Sequence, residues 1–183
     1  MRVHQIEGDW GIGHLRVASR PDPSPGPGQV LLKMLASSLN YRDLVVLDRG
    51  YGNFTGTLPL VPLSDGVGQV VAVGAGVTRV AAGDRVCPMF FPTWIAGEPD
   101  LSRLTQSLGG PLDGTMSEYM VLPETGVARV PAALTDEQAA CLPCAALTAW
   151  RALAVLGATR PGEQVLIQGS GGVALFALQF ARL

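Results

Sequence analysis

The residues whose types and spacing are best suited to chemistry form a glycine-rich turn. Residues 169–174 read G-S-G-G-V-A, which fits the pattern G-x-G-x-x-G/A, and they follow the apolar run at 165–168. Gly169 permits a tight turn from strand to helix, Gly171 has no side chain to collide with a pyrophosphate, and the small Ala174 allows close helix packing. The helix N-terminus would offer unpaired amides to phosphates. This pattern predicts a dinucleotide site, with a purely structural turn as the alternative, formed by Gly169, Ser170, Gly171, Gly172 and Val173.

The turn does not choose between NAD and NADP. The acidic residue that binds the ribose of NAD, or the basic residue that accommodates the 2′-phosphate of NADP, stands about 20 residues beyond such glycines. That position lies past Leu183. A parallel sheet also needs neighbouring strands, and the sequence predicts none beside this one. We therefore expect the 183 residues to be part of a longer protein.

The composition describes a globular protein of one or two domains. Of its 183 residues, 48% are hydrophobic and 15% are charged, and the formal net charge is −2. No basic surface points to nucleic acid, and no apolar run approaches the roughly 20 residues that a membrane span requires. The N-terminus lacks the apolar core of a secretion signal, and three cysteines are an odd number, so we expect reduced thiols in the cytoplasm.

The elements that must position this turn fall into two parts. The first is rich in short strands joined by glycine and proline turns, with a proline-dense surface turn at 21–28. Strands are predicted at 29–39, within 63–78, at 84–89 and at 116–123, and a short helix is predicted at 40–49. Residues 90–115 predict irregular structure.

The pattern changes near Pro131 to alternating helix and strand, as in an α/β domain. Thr135 and Gln138 have the spacing of a capping box. A longer helix should run from Pro143 to about Leu156, with Gly157 as its C-cap. Residues 165–168 predict a strand buried on both faces. The helix after Gly172 is apolar nearly all round, so it should be covered on more than one side.

Seven motifs along the chain together resemble one family. They are PGQVLLK at 27–33, SLNYRD at 38–43, LVPLSDGVG at 60–68, GDRV at 83–86, SEY at 117–119, LPCAALTAW at 142–150 and QGSGG at 168–172. In this order they resemble the medium-chain dehydrogenase/reductases, and most closely their zinc-independent branch, which is quinone-oxidoreductase-like and alcohol-dehydrogenase-like.

The resemblance implies a fold of class α+β followed by α/β. Residues 1–144 would form a GroES-like β-barrel catalytic domain, and residues 145–183 would begin a Rossmann cofactor-binding domain. The resemblance also implies a small-molecule substrate, NADP or NAD as cofactor with a preference for NADP, and a homodimer when the protein is intact.

The resemblance further implies that no zinc is bound. The family's zinc members place Cys, His and Cys around a catalytic metal, and these positions fall here on Asn40, Ser64 and Cys144. Zinc needs three protein ligands, and amide and hydroxyl groups are poor ones. The four close cysteines of the family's structural zinc lobe are absent as well. Cys141 and Cys144 form a C-x-x-C pair, which we interpret as structural thiols because neither a second ligand pair nor a preceding strand accompanies them.

Without a metal, hydrogen-bond donors would have to stabilise the negative charge that develops during hydride transfer. Tyr51 matches a tyrosine that related enoyl reductases carry as a proposed proton donor, although a loop tyrosine that caps the barrel is an equal alternative. Asn40 would donate to substrate or to the nicotinamide ribose, unless it only caps a helix. Tyr41 and Thr148 match positions near the cofactor.

Three further features have weaker assignments. Asp43 should order its helix by hydrogen bonding. Asp65 matches an acidic residue beside the metal site. The aromatic cluster of Phe90, Phe91 and Trp94 would line a substrate pocket or form a small separate core.

These expectations favour an NAD(P)-dependent oxidoreductase that transfers hydride between nicotinamide and a small carbonyl or alcohol, a quinone or an activated alkene. An enoyl thioester reductase is the alternative among enzymes. A reductase-like protein that binds nicotinamide without turnover is the alternative from another class. A third alternative is that the 183 residues on their own are inactive, with an apolar helix surface and bare strand edges that favour association.

Overall fold

The computed structural model describes residues 1–183, and it begins with an antiparallel hairpin. Strands β1 (Arg2–Ile6) and β2 (Leu15–Ser19) pair from Arg2 opposite Ser19 to Ile6 opposite Leu15. Single bridges join β1 to the rest of the chain at Ser117 and Leu60. The sequence pattern does not predict this hairpin, because five-residue runs interrupted by polar residues do not distinguish strand from loop.

Five antiparallel strands form the main sheet. They are β3 (Gln29–Ser38), β4 (Asp65–Val73), β5 (Arg85–Pro88), β6 (Tyr119–Pro123) and β7 (Val127–Arg129). Their order is β6-β3-β4-β5-β7. The four strands predicted in this part of the chain are therefore confirmed, whereas the three-residue β7 is too short for its pattern to be recognised.

The sheet buries one apolar face. Val30 and Leu32 of β3 alternate with more exposed neighbours, as expected for a strand with one face on the core. They pack with residues of β4 to β7 in the largest core cluster, which also includes Val70, Val86, Leu108, Met120 and Leu122. Register shifts interrupt the pairing of β3 with β4 at Leu31/Leu32 and Met34/Ala36. Such irregularities bend a strand and increase its twist, which suits a curled, barrel-like sheet.

Short helices connect the strands and cover the sheet. Helix α1 (Tyr41–Leu47) follows β3, α2 (Leu101–Leu104) lies in the irregular segment, and α3 (Asp136–Ala140) packs against β3 and β4. The capping box is confirmed: the Thr135 amide donates to Gln138 Oε1 at 3.0 Å, and the Gln138 amide donates to Thr135 Oγ1 at 3.3 Å. No helix of the structure has the length and apolarity needed to cross a membrane.

The helix predicted from Pro143 to Leu156 is continuous but irregular. Its regular part, α4 (Leu147–Trp150), lies between wider π-helical turns at Leu142–Ala146 and Arg151–Leu156. Gly157 follows this helix but keeps a right-handed φ of −74°. Gly157 is the C-cap, as predicted, and its amide donates to the Ala152 carbonyl at 2.8 Å, but the left-handed φ of 46° belongs to Ala158.

Two predictions for the last part of the chain are wrong. Residues 165–168 are not a strand, and Leu166 is 86% exposed where burial on both faces was expected. A strand exists through hydrogen bonds to a neighbour, and no strand of this chain pairs with these residues. Helix α5 (Gly172–Phe180) forms as predicted but is covered on one side only, where Phe180 meets Trp150 at 5.6 Å between ring centroids.

Candidate functional site

A cleft with a volume of about 930 Å³ is lined by the aromatic cluster and by the irregular helix. One wall is the aromatic cluster, in which Phe90 and Phe91 lie 4.7 Å apart and Phe91 and Trp94 lie 5.4 Å apart, all in edge-to-face geometry. The opposite wall comes from the irregular helix and includes Cys144 and Thr148. The three rings therefore line a cleft instead of forming a separate small core. Mostly apolar walls with a few polar groups are typical of small-molecule sites.

A buried carboxylate, Asp65, lies beneath the helical wall at the start of β4. Its side chain is completely inaccessible to solvent. Asp65 Oδ1 accepts a hydrogen bond from Ser64 Oγ at 2.9 Å, and Oδ2 accepts one from the Cys144 amide at 3.0 Å. Burial raises the pKa of Asp65. The two hydrogen bonds and the nearby side-chain amide of Asn40 offset part of that rise. Asp65 thus joins the sheet to the helical wall of the cleft.

Asn40 and Asp43 hold the start of α1 beside this carboxylate. The backbone amide of Asn40 donates to Asp43 Oδ2 at 2.7 Å, so Asp43 orders the helix as predicted. The side chain of Asn40 points its Nδ2 atom toward Asp65 and favours the charged carboxylate, but without a hydrogen bond of ordinary geometry. Burial is the largest cause of a raised pKa at Asp43, and the charge of Asp65 adds to it.

Arg42 is the functional residue that the sequence pattern did not reveal. Its guanidinium is 4.0 Å from Asp43 Oδ1 and lies over the Phe90 ring, 4.7 Å from the centroid. A usable signal was present: Arg42 stands four residues before the buried Val46, so both lie on the same side of α1. A charged residue on a helix face that packs inward needs a partner there.

Three positions match those at which zinc-dependent family members hold their metal. Their residues here, Asn40, Ser64 and Cys144, all lie next to Asp65. Cys144 supplies the one thiol, and burial raises its pKa to about 11, which keeps it protonated at neutral pH. Ser64 Oγ is engaged as a donor to Asp65. No group of three or more His, Cys, Asp or Glu side chains in the structure is arranged to hold a metal ion.

The thiols of the remaining two cysteines donate hydrogen bonds to backbone carbonyls. The thiol of Cys141 donates to the Glu137 carbonyl, and the thiol of Cys87 donates to the Ala139 carbonyl, each at 3.3 Å. Burial raises the pKa of Cys87 to about 12. All three cysteines are free thiols.

The predicted tyrosines lie outside the cleft lining. Tyr51 is 45% exposed, and its ring centroid is 6.0 Å from the Arg42 guanidinium carbon. Arg42 therefore contacts both Tyr51 and Phe90 of the aromatic wall. Tyr41 is 82% exposed and makes no hydrogen bond through its side chain. The structure therefore brings Asn40, Asp65, Cys144 and Thr148 near the cleft but leaves both tyrosines at its periphery.

The glycine turn has the backbone geometry that its sequence predicts. Gly169 has a φ of +92°, a conformation that L side chains rarely adopt. A Cβ added at Gly171 would meet no atom within 4 Å, whereas one at Gly172 would come within 3.2 Å of the Ala145 Cβ. The first intrahelical amide bond of α5 runs from Leu175 to Gly171, which leaves the amides of Gly172, Val173 and Ala174 free of acceptors in the chain. Open space in front of free amides fits a phosphate group.

We expect the Asp43→Asn substitution to change how stability depends on pH. Because the folded-state pKa of Asp43 is raised above its ordinary value of 3.8, the folded chain binds this proton more tightly than the unfolded chain. As the pH falls through the raised folded-state pKa, the wild-type chain should gain a few degrees in melting temperature relative to the variant, and the gain should be complete below the unfolded pKa of 3.8. Thermal unfolding followed by circular dichroism measures this difference. A difference that is independent of pH, or that changes in the opposite direction, would contradict the expectation.

Comparison with known proteins assigns the fold to a family. Residues 26–132, more than half of the chain, match the model of the alcohol dehydrogenase GroES-like domain. A zinc-type alcohol dehydrogenase-like protein of Schizosaccharomyces pombe is 43% identical over 159 residues, which cover 85% of this chain and 45% of that protein.

Two solved structures show the same fold. A Sinorhizobium meliloti 1021 protein assigned to the alcohol dehydrogenases has a TM-score of 0.91 and 44% identity, covering 99% of this chain and 53% of its own. A mycobacterial quinone oxidoreductase has a TM-score of 0.78 and 30% identity, covering 100% of this chain and 50% of its own. The chain thus spans about half the length of the proteins it matches. It belongs to the medium-chain dehydrogenase/reductase superfamily and contains that superfamily's alcohol dehydrogenase GroES-like domain.

Proposed function

We propose that this chain is the catalytic part, with the first cofactor-binding unit, of an NAD(P)-dependent oxidoreductase. It would transfer hydride between nicotinamide and a small carbonyl or alcohol, a quinone or an activated alkene. The domain division that goes with this proposal places the catalytic domain at residues 1–144 and the start of the cofactor domain at 145–183.

The glycine turn carries this proposal. The positive φ of Gly169, the open space at Gly171 and the free amides at the start of α5 support this proposal, because together they would form a cradle for the pyrophosphate of a dinucleotide. Gly169, Ser170, Gly171, Gly172 and Val173 would hold this group, and the bound nicotinamide would supply the hydride. Thr148, on the helical wall, and Tyr41 are the other proposed cofactor contacts.

We propose further that the transfer proceeds without a catalytic metal. Of the three positions where zinc members of the family have ligands, two carry Asn40 and Ser64, and only the third, Cys144, carries a thiol. This donor set does not fit zinc. The Schizosaccharomyces pombe relative is zinc-type by name, so the metal content of this protein has to be measured directly.

In place of a metal, hydrogen-bond donors would stabilise the developing negative charge on the substrate. Asn40 is the first proposed donor, because its Nδ2 atom is buried beside the site without a partner of its own. Tyr51 is the second, and its half-exposed ring lies next to Arg42 and the aromatic wall.

The proposal is tested by titrating the intact protein with NADPH and NADH and by screening aldehydes, quinones and enones for nicotinamide oxidation. We expect micromolar cofactor binding and turnover of at least one acceptor class, at a rate that a chelator does not change. Binding without turnover across the whole panel would instead favour a non-catalytic nicotinamide-binding protein. Absence of binding would contradict the dinucleotide site.

A further inference from the structure

Arg42 lies where the buried carboxylates and the aromatic wall of the cleft meet. It is in the first turn of α1, and its side chain is only 13% exposed. It is the basic residue nearest Asp43 and also lowers the pKa of Asp65, so it balances the negative charge of both buried groups. Without Arg42 these carboxylates would share a site that lacks a counterion.

The guanidinium of Arg42 holds the segment at 107–110 through three polar contacts. One nitrogen donates to the Leu108 carbonyl at 2.9 Å, and another donates to the Gly110 carbonyl at 3.1 Å and to Ser107 Oγ at 3.4 Å. Arginine presents several donors in a rigid planar fork, which lysine cannot reproduce. Replacing Arg42 by lysine would therefore keep the charge and lose most of this geometry.

Phe90 is attached to Arg42 in two ways. Its ring lies under the guanidinium at 4.7 Å, a distance suited to a cation–π interaction. Its backbone carbonyl accepts a hydrogen bond from the Leu108 amide at 3.0 Å, and Leu108 is itself held by Arg42. From Phe90 the edge-to-face contacts continue to Phe91 and Trp94. Arg42 is therefore connected to the aromatic wall through Phe90.

We propose that Arg42 is a positioning residue of the cleft: it fixes the aromatic wall through Phe90 and Leu108. The apolar part of a substrate would bind against this wall. Arg42 does not touch the reacting atoms and acts through the rings. Its effect on catalysis rests on the proposed function, whereas its effect on the wall does not.

The first measurement is fluorine NMR of the chain labelled with 5-fluorotryptophan, which reports on Trp10, Trp94 and Trp150 separately. We expect Arg42→Lys to shift the Trp94 resonance and leave that of Trp150 in place. Arg49→Lys is the matched control, because the Arg49 guanidinium lies 5.8 Å from the Trp10 ring. It should shift Trp10 and not Trp94. An unchanged Trp94 resonance in the folded Arg42→Lys variant would overturn the proposal.

The second measurement is kinetic. Arg42→Lys should raise KM for an apolar acceptor about threefold to tenfold, with a smaller change in kcat, since it would weaken binding against the wall. In a Phe90→Leu background the same substitution should raise KM by a clearly smaller factor, because the ring contact is gone and only the connection through Leu108 is left. Additive effects on KM would show that Arg42 acts by another route and would overturn the proposal.

Three further outcomes are decisive. If Arg42→Lys does not fold, Phe90→Leu with Arg42 intact must still shift Trp94, and an unchanged resonance would overturn the proposed connection. If Trp94 shifts but no acceptor is reduced, the proposed function fails and the structural role of Arg42 stands. If an acceptor is reduced but the Trp94 resonance is unchanged, the proposed function stands and the structural role of Arg42 fails.

Discussion

Replacing Gly171 by valine should abolish tight binding of the dinucleotide while leaving the fold intact. The backbone at this position has a φ of −77° and a ψ of 175°, which valine adopts without strain, and a Cβ there would meet no atom of the chain. A pyrophosphate in front of the free amides of α5 would occupy the space that the valine side chain enters. We expect the affinity for NADPH to fall about 100-fold or more, with a melting temperature within about 2 °C of wild type.

Isothermal titration with NADPH and thermal unfolding measure these two effects. Gly13→Val is the matched control, because Gly13 also has open space and an unstrained φ but lies in a surface turn far from α5 along the chain. The control should change neither property. Unaltered affinity in the Gly171→Val variant would show that the cofactor does not approach this turn. Unfolding of the variant would support the purely structural interpretation of the glycines.

Replacing Asp65 by alanine should destabilise the domain by about 2–4 kcal/mol. The substitution removes the acceptor for the Ser64 hydroxyl and for the Cys144 amide in a place that water does not reach. Because the Cys144 amide cannot turn away, its desolvation would remain uncompensated. The substitution should also release the helical wall of the cleft from β4, so we expect weaker binding of any substrate that contacts this wall.

Denaturant unfolding of Asp65→Ala, Asp65→Asn and Glu124→Ala measures how much of the loss in stability comes from the burial of Asp65 and how much from its hydrogen bonds alone. Asparagine keeps one acceptor oxygen and should retain part of the stability. Glu124 also accepts two amide hydrogen bonds, from Thr78 and Arg79, but lies at the surface, where water can replace it, so Glu124→Ala should cost much less. Equal losses for Asp65→Ala and Glu124→Ala would show that burial of Asp65 is not what makes its hydrogen bonds important.

The strands of the main sheet could be predicted because their patterns are local. Val30 and Leu32 alternate with more exposed residues, and the valines of β4 and β5 stand between glycine turns, so composition and period suffice. The capping box of Thr135 and Gln138 is local as well. The strand expected at 165–168 has an equally good pattern, yet strands form only with a partner and this chain provides none.

The candidate site could be predicted in its parts but not in its connections. Motif positions identified Asn40, Asp65, Cys144 and Thr148, which the structure brings toward one cleft. The contacts of Arg42 with residues 107–110 and with Phe90 join segments more than 45 positions apart, and no local pattern records them. The raised pKa values likewise follow from burial, which depends on the whole fold.

The central claim is hydride transfer from nicotinamide without a metal, and isotope transfer tests it most directly. The intact protein would be depleted of metal with a chelator, and its residual zinc measured. It would then be incubated with NADPH deuterated at the transferable position and with the best aldehyde or enone acceptor of the screen, whose product keeps the transferred atom in a C–H bond. We expect one deuterium per reduced product molecule. The rate should equal that of the untreated protein with the same deuterated cofactor. Reduction that stops on depletion and returns only with added zinc would contradict the claim, as would a product without deuterium.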